Sequence, residues 1–156
     1  MHCASHPRIG NRADDGVLIG IPYFIHEQGK IYLTNPNYNL SAYFGEDITL
    51  TQADFLKEDA LITLENNACT LKLLHTPGHT LDSSIFYDKV NQLAFVGDTI
   101  FKASIGRTDF PGGNLQTLKE SIYHKIMTFP PETILYSGHS APTTIAAEKP
   151  NIAFFF

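Results

Sequence analysis

Apolar and polar positions change places every one or two residues through most of this chain, and in one stretch the period lengthens. The apolar run from Ile21 to Ile25, "IPYFI", predicts a short buried strand. "EQGKIYL" predicts a short helix, and "NPNYNLSAYFGED" is rich in turn residues and reads as irregular. A denser β region follows. Ala60 to Leu64 and Cys69 to Leu74 flank "ENNA", a hairpin signal, and Ser83 to Tyr87 and Gln92 to Val96 flank "DKVN", a second one. After "FPGGN" the step becomes three or four residues, at Leu115, Leu118, Ile122 and Ile126. That spacing predicts an amphipathic helix from Asn114 to about Thr128, with Asn114 as N-cap and Pro130-Pro131 as the stop. Thr133 to Tyr136 reads as a last strand, and the apolar end "NIAFFF" is expected to dock on the core. Strands first, then helix and strand, predict an α/β or α+β layered fold.

No repeat, low-complexity tract or linker divides residues 1–156, and 156 residues suit a single domain with a real core. Charge narrows the partners. The formal net charge is −5 and no run of lysines or arginines occurs, which argues against nucleic acid and anionic membranes. Cys3 and Cys69 form no CxxC and no disulfide framework, so the expectation is two reduced thiols in a cytoplasm. The longest apolar stretches are far shorter than the ~20 residues of a membrane span. The first sixteen residues, "MHCASHPRIGNRADDG", lack the apolar core of a signal peptide.

Three apolar strands share one ending. "CTLKLLHTPGH" runs out into Gly78 and His79, "QLAFVGD" into Gly97 and Asp98, and "TILYSGH" into Gly138 and His139. Glycine lets the chain bend where a Cβ would clash, and Pro77-Gly78 is the usual middle of a type II turn. The next side chain is thrown off the strand end at a fixed angle. Imidazole and carboxylate hold zinc or iron while leaving room for water. Each ending alone reads as an ordinary turn; His, Asp and His at three strand exits together predict a metal site. His75, one step before the turn, reads as structural or as a support to a ligand.

"TPGHT" (Thr76 to Thr80), "GDTIF" (Gly97 to Phe101), "SIGRTDFPGG" (Ser104 to Gly113) and "YSGHSAPTTI" (Tyr136 to Ile145) resemble the C-terminal two thirds of the metallo-β-lactamase superfamily. The likeness runs from about Ile21 to Phe156, and the small bacterial glyoxalase II-like hydrolases are the nearest members. The resemblance implies an αββα sandwich with a metal pair at one edge of its sheets. It assigns His79 to the first ion, His139 to the second, and Asp98 to a bridge between them that is also the catalytic carboxylate. The implied reaction is hydrolysis of a small-molecule thioester, such as an S-acyl-glutathione, by metal-bound hydroxide, with zinc, iron or manganese as the ion. A basic residue at Arg107 contacts the thiol carrier's carboxylate in such relatives; an Arg107–Asp109 surface pair is the equal alternative. Thr143 and Thr144 match paired structural threonines, and Ser140 stands where relatives carry glycine.

The family's His-x-His-x-Asp-His motif does not occur in this chain. Aligning Ile9-Gly10 with the pair that follows the motif puts Cys3, Ser5, Pro7 and Arg8 on its ligand positions, of which Cys3 alone has a side chain that could bind metal. The expectation is a truncated or misread start that lacks the first strands of the fold. His2 and His6 are further candidate ligands or incidental residues of a frayed end. Three donors with one shared leave two per ion where a catalytic zinc has three, so one weakly held ion is expected. Sheet edges that lose their neighbours predict a dimer or higher oligomer. A second enzyme reading is a persulfide dioxygenase with one iron, whose members share a "GRTDF" stretch like Gly106 to Phe110. The non-enzyme reading is a remnant that folds or assembles without chemistry.

Overall fold

The computed structural model describes residues 23–50, 53–63 and 69–155. Its strands are β1 (Phe24–His26), β2 (Asp54–Leu56), β3 (Leu61–Thr63), β4 (Thr70–His75), β5 (Ser84–Asp88), β6 (Leu93–Gly97), β7 (Ile100–Phe101), β8 (Ser104–Ile105), β9 (Ile134–Ser137) and β10 (Thr143–Thr144). Its helices are α1 (Lys30–Thr34), α2 (Leu115–His124) and α3 (Ile145–Phe155). Six strands form one sheet in the order β10-β9-β6-β5-β4-β3. β3 to β6 pair antiparallel in sequence, β9 joins β6 in parallel, and β10 turns back antiparallel on β9. Parallel β1 and β2 form a separate ribbon, and β7 with β8 a small antiparallel pair.

Period-two alternation sorts the sheet's side chains onto two faces. Ile85, Tyr87, Ala94, Val96 and Leu135 point to one face, where Leu118 and Ile122 of α2 and Ile152 of α3 seal them. On the other face Leu73, Phe86, Phe95 and Tyr136 stand opposite one another in register. The β1–β2 ribbon covers the Leu73 end, which is 1% exposed, while Tyr136 is left 39% exposed. The architecture is the mixed α/β layering that the pattern predicts.

Asn114 does cap α2, its side chain accepting the N–H of Thr117 at 2.9 Å. The predicted helix to Thr128 breaks in two, because α2 stops at His124 and a 3-10 turn completes Ile126–Thr128 before the prolines. Three corrections follow. Thr133 to Tyr136 is not the last strand, since β10 pairs with it. "NIAFFF" docks as expected through Ile152, but as the last turns of helix α3, which ends at Phe155 and leaves Phe154 87% exposed, with Phe156 outside the described residues. "IPYFI" contributes to β1 through Phe24 and Ile25 only, with Ile21 and Pro22 outside the described residues.

Candidate metal centre

β4, β6 and β9 run in the same direction, so their ends meet at one edge of the sheet. Each exit is then aimed by a close backbone approach. Gly78 takes a φ of 134°, and a Cβ there would run into the backbone of Leu118. α2 holds that turn twice more: Ser121 Oγ donates to Pro77 O at 2.7 Å and Asn114 N to Gly78 O at 2.8 Å. His79 is 2% exposed as a result. Gly138 N donates to Gly97 O at 3.0 Å, tying the β9 exit to the β6 exit. A Cβ on Gly138 would strike Asp98 Oδ1, and one on Gly106 would strike Asp98 O.

These approaches bring two imidazoles to one carboxylate. His79 Nε2 lies 3.7 Å and His139 Nε2 3.4 Å from Asp98 Oδ2. Asp98 is 8% exposed, and the His139 side chain is 52% exposed, so one arm of the arrangement is buried and the other wet. His79 Nδ1 sits 2.7 Å from the carbonyl oxygen of Arg107. A carbonyl only accepts, so in the neutral ring the proton is on Nδ1 and the Nε2 lone pair faces Asp98. An imidazole lone pair and a carboxylate oxygen both attract a cation placed between them, so this donor set fits a metal ion. It is not a complete centre: among the described residues no group of three His, Cys, Asp or Glu side chains is gathered closely enough to hold an ion.

The other predicted residues fall in different places. Cys3, His2 and His6 lie outside the described residues. The Arg107 guanidinium is engaged with Asp109, Nε to Oδ1 at 2.6 Å and Nη2 to Oδ2 at 2.5 Å, and stacks 4.2 Å over Phe110. That bond holds the Asp109 carboxyl down at about 2. Thr143 Oγ1 donates to the buried Glu148 at 2.6 Å, a structural contact. Ser140 Oγ accepts from Lys102 N at 3.2 Å and pairs with Ser137 Oγ at 2.7 Å, bracing the loop that carries His139.

Two residues near the site went unremarked in the sequence. Asp82 is 6% exposed, accepts from Thr80 Oγ1 at 2.8 Å, and burial pushes its carboxyl up. Its signal was an acid three residues after a candidate ligand in "GHTLDSS". His26 lies at the end of β1 against His75, a contact between distant segments that no local pattern shows. β1 also lines, with Leu73, Ser84 and Phe86, a slot that reaches Gly97 and Asp98.

Residues 26–139 match the family model described as "Metallo-beta-lactamase superfamily". The chain is 37% identical over 131 residues to "Probable metallo-hydrolase YqgX" of Bacillus subtilis, covering 83% of this chain and 61% of that protein. It therefore spans about three fifths of that relative's length. It is also 37% identical over 103 residues to "Hydroxyacylglutathione hydrolase GloC" of Haemophilus influenzae, covering 66% of this chain and 48% of that one. Among solved structures it is similar to TTHA1623 in a di-iron-bound form, with a TM-score of 0.71 and 28% identity, over 87% of this chain and 66% of that chain.

Proposed function

This chain belongs to the metallo-beta-lactamase superfamily, and on that premise we propose that it is a metal-dependent hydrolase of the glyoxalase II-like type, cleaving a thioester such as an S-acyl-glutathione. One arrangement supports the reading: ring nitrogens from two separate strand exits face the same oxygen of Asp98, at 3.7 and 3.4 Å. The similarity to GloC supports the thioester class, and the di-iron form of TTHA1623 supports a metal in this fold.

His79, Asp98 and His139 would hold the ion, with Asp98 between the two histidines. When bound, such an ion supplies Lewis acidity and water activated at neutral pH. The chain's own residues do the rest. The Arg107 carbonyl fixes the His79 tautomer and aims Nε2. Gly138 lets the backbone close on the Asp98 carboxylate, and Gly106 lets it close on the Asp98 backbone carbonyl. The Arg107 fork, released from Asp109, matches a carboxylate of the thiol carrier bidentately. With no His-x-His-x-Asp-His motif in the chain to add further donors, the proposal is for a single, weakly held ion.

A second reading, a fold without chemistry, is favoured by the absence of a three-donor cluster among the described residues. Elemental analysis of the chain loaded in turn with zinc, iron(II) and manganese, alongside hydrolysis of S-lactoylglutathione, separates the two. The hydrolase reading expects about one ion per chain and thioester cleavage that disappears in His79→Ala. A chain that retains none of the three ions and cleaves no thioester is the remnant.

A further inference from the structure

Two histidines that the metal centre does not use tie the β1–β2 ribbon to the sheet. His26 ends β1, is 6% exposed, and lays its ring on that of His75 at the end of β4. The centroids are 3.8 Å apart and the planes 11° from parallel. Their polar contacts define their protons. His26 Nδ1 accepts the N–H of Gln28 at 3.3 Å, capping the 3-10 turn Glu27–Gly29, and an accepting nitrogen carries no proton. His75 Nε2 lies 2.7 Å from Leu81 O, so that nitrogen is the donor. As neutral rings the two stack face to face and bury their flat surfaces. A proton added to His26 Nδ1 removes the cap, and two imidazolium rings at this separation repel each other across a partly dry interface.

We propose that the His26–His75 stack is an acid-sensitive clamp, which holds the β1–β2 ribbon on the six-stranded sheet while both rings are neutral and releases it when they are protonated. The clamp stands apart from the hydrolase reading, because the contacts that define it, to Gln28, to Leu81 and between the two rings, involve none of the three donors His79, Asp98 and His139.

Charged groups from every neighbouring element face the pair. Glu27 follows His26 on its own turn. Glu58, in the loop before β3, accepts the backbone N–H of His75 at 2.6 Å. Lys125, at the C-cap of α2, donates to His75 O at 2.5 Å and to Glu58 Oε1 at 2.9 Å. Asp82 approaches His75 from the loop before β5. Glu27 and Glu58 favour an imidazolium at His26 and Lys125 disfavours it. Burial first, and then the His75 charge, outweigh the two acids and hold His26 below the usual imidazole value. The released chain thus binds the proton more readily than the docked one. Docking is at full strength above the ordinary imidazole value of about 6.5 and weakens as pH falls below it.

Hydrogen–deuterium exchange of the whole chain at about pH 7.5 and about pH 5.5, corrected for intrinsic rates, reads this directly. Protection over residues 23–34 and 53–58 should drop roughly tenfold or more at the lower pH, with β5 and β6 changing less than about twofold. Unchanged protection of the ribbon overturns the clamp. So does an equal loss in β5 and β6, which would be general acid unfolding. His75→Phe keeps a flat ring without a titratable nitrogen, and should keep the ribbon protected at about pH 5.5; a loss as large as the parent's also overturns the proposal. Should that variant fail to fold, ring-nitrogen NMR of the parent decides. His26 should titrate below about 6.5, and an ordinary titration of His26 would refute the clamp.

Discussion

Two buried aspartates stand at opposite ends of the six-stranded sheet, and the chain surrounds them differently. Asp88 closes β5 at the hairpin end, 2% exposed. Its Oδ1 accepts the N–H groups of Val90 and Asn91, each at 2.9 Å, and its Oδ2 accepts the Asn91 side-chain amide at 2.7 Å and the Cys69 thiol at 3.0 Å. Those donors, Asn91 foremost, hold its carboxyl down at about 2. Asp98 sits at the other end, 8% exposed, with two ring nitrogens facing its Oδ2 at 3.4 and 3.7 Å. Residue type and depth are the same. Short bonds from local donors make Asp88 a turn cap, whereas longer approaches from distant strand exits make Asp98 a shared corner. Depth alone therefore does not mark a site; the chemistry and origin of the partners do.

The largest expected effect breaks the scaffold that brings the Asp98 end together. Gly78→Ala puts a Cβ into the Leu118 backbone at a φ of 134°. Strain and overpacking together should cost about 3 kcal/mol, read as a fall in the urea midpoint. Next comes the direct comparison. Asp88→Ala strands two backbone donors in a tight turn and should cost about 2 kcal/mol. Asp98→Ala should cost less, about 1 kcal/mol, because the two ring nitrogens facing its Oδ2 stand off at 3.4 and 3.7 Å, and it should abolish ion uptake. Equal stability losses for the pair would erase the distinction drawn here. Gly138→Ala should be milder still: its Cβ displaces Asp98 Oδ1 from an exposed loop, costing about 0.5 kcal/mol of stability and roughly tenfold in ion affinity by titration.

Much of the Asp98 end was legible, and little of the ribbon was. Each strand exit carries its signature in three consecutive residues: an apolar run, a glycine, a donor. Local sequence dictates the turn, and the common direction of β4, β6 and β9 does the rest. The α2 cap was legible for the same reason, since Asn114 acts on a neighbour three residues away. β7, β8 and β10 are two residues each, too short for any alternation to show, and they exist because a partner strand lies alongside. α3 was hidden by Pro150 inside it and by a phenylalanine run that shows no apolar stripe. The His26–His75 stack joins residues almost fifty positions apart, and Arg107 contributes to the site through its carbonyl, an atom that every residue has.

The smallest expected effect lies in acid, where Asp88 and Asp82 part company by sign. Asp88 is held at about 2 in the folded chain, against about 3.9 in an unfolded one. The unfolded chain binds the proton first, so Asp88 contributes its stability above about pH 4 and loses it as pH falls toward 2. Asp109 behaves likewise through Arg107 but is exposed, and salt screens it. Asp82 runs the other way. Burial raises its folded value, so its contribution is present below the unfolded value and fades as pH rises through the raised one. Urea midpoints followed from about pH 5 to about pH 2 in high salt isolate the first term. Asp88→Asn keeps an acceptor oxygen in the turn without a titrating group, and should flatten the fall in that window. A parent and an Asp88→Asn chain with the same slope would mean that Asp88's local donors do not hold its charge, and the contrast between the two ends of the sheet would lose its energetic basis.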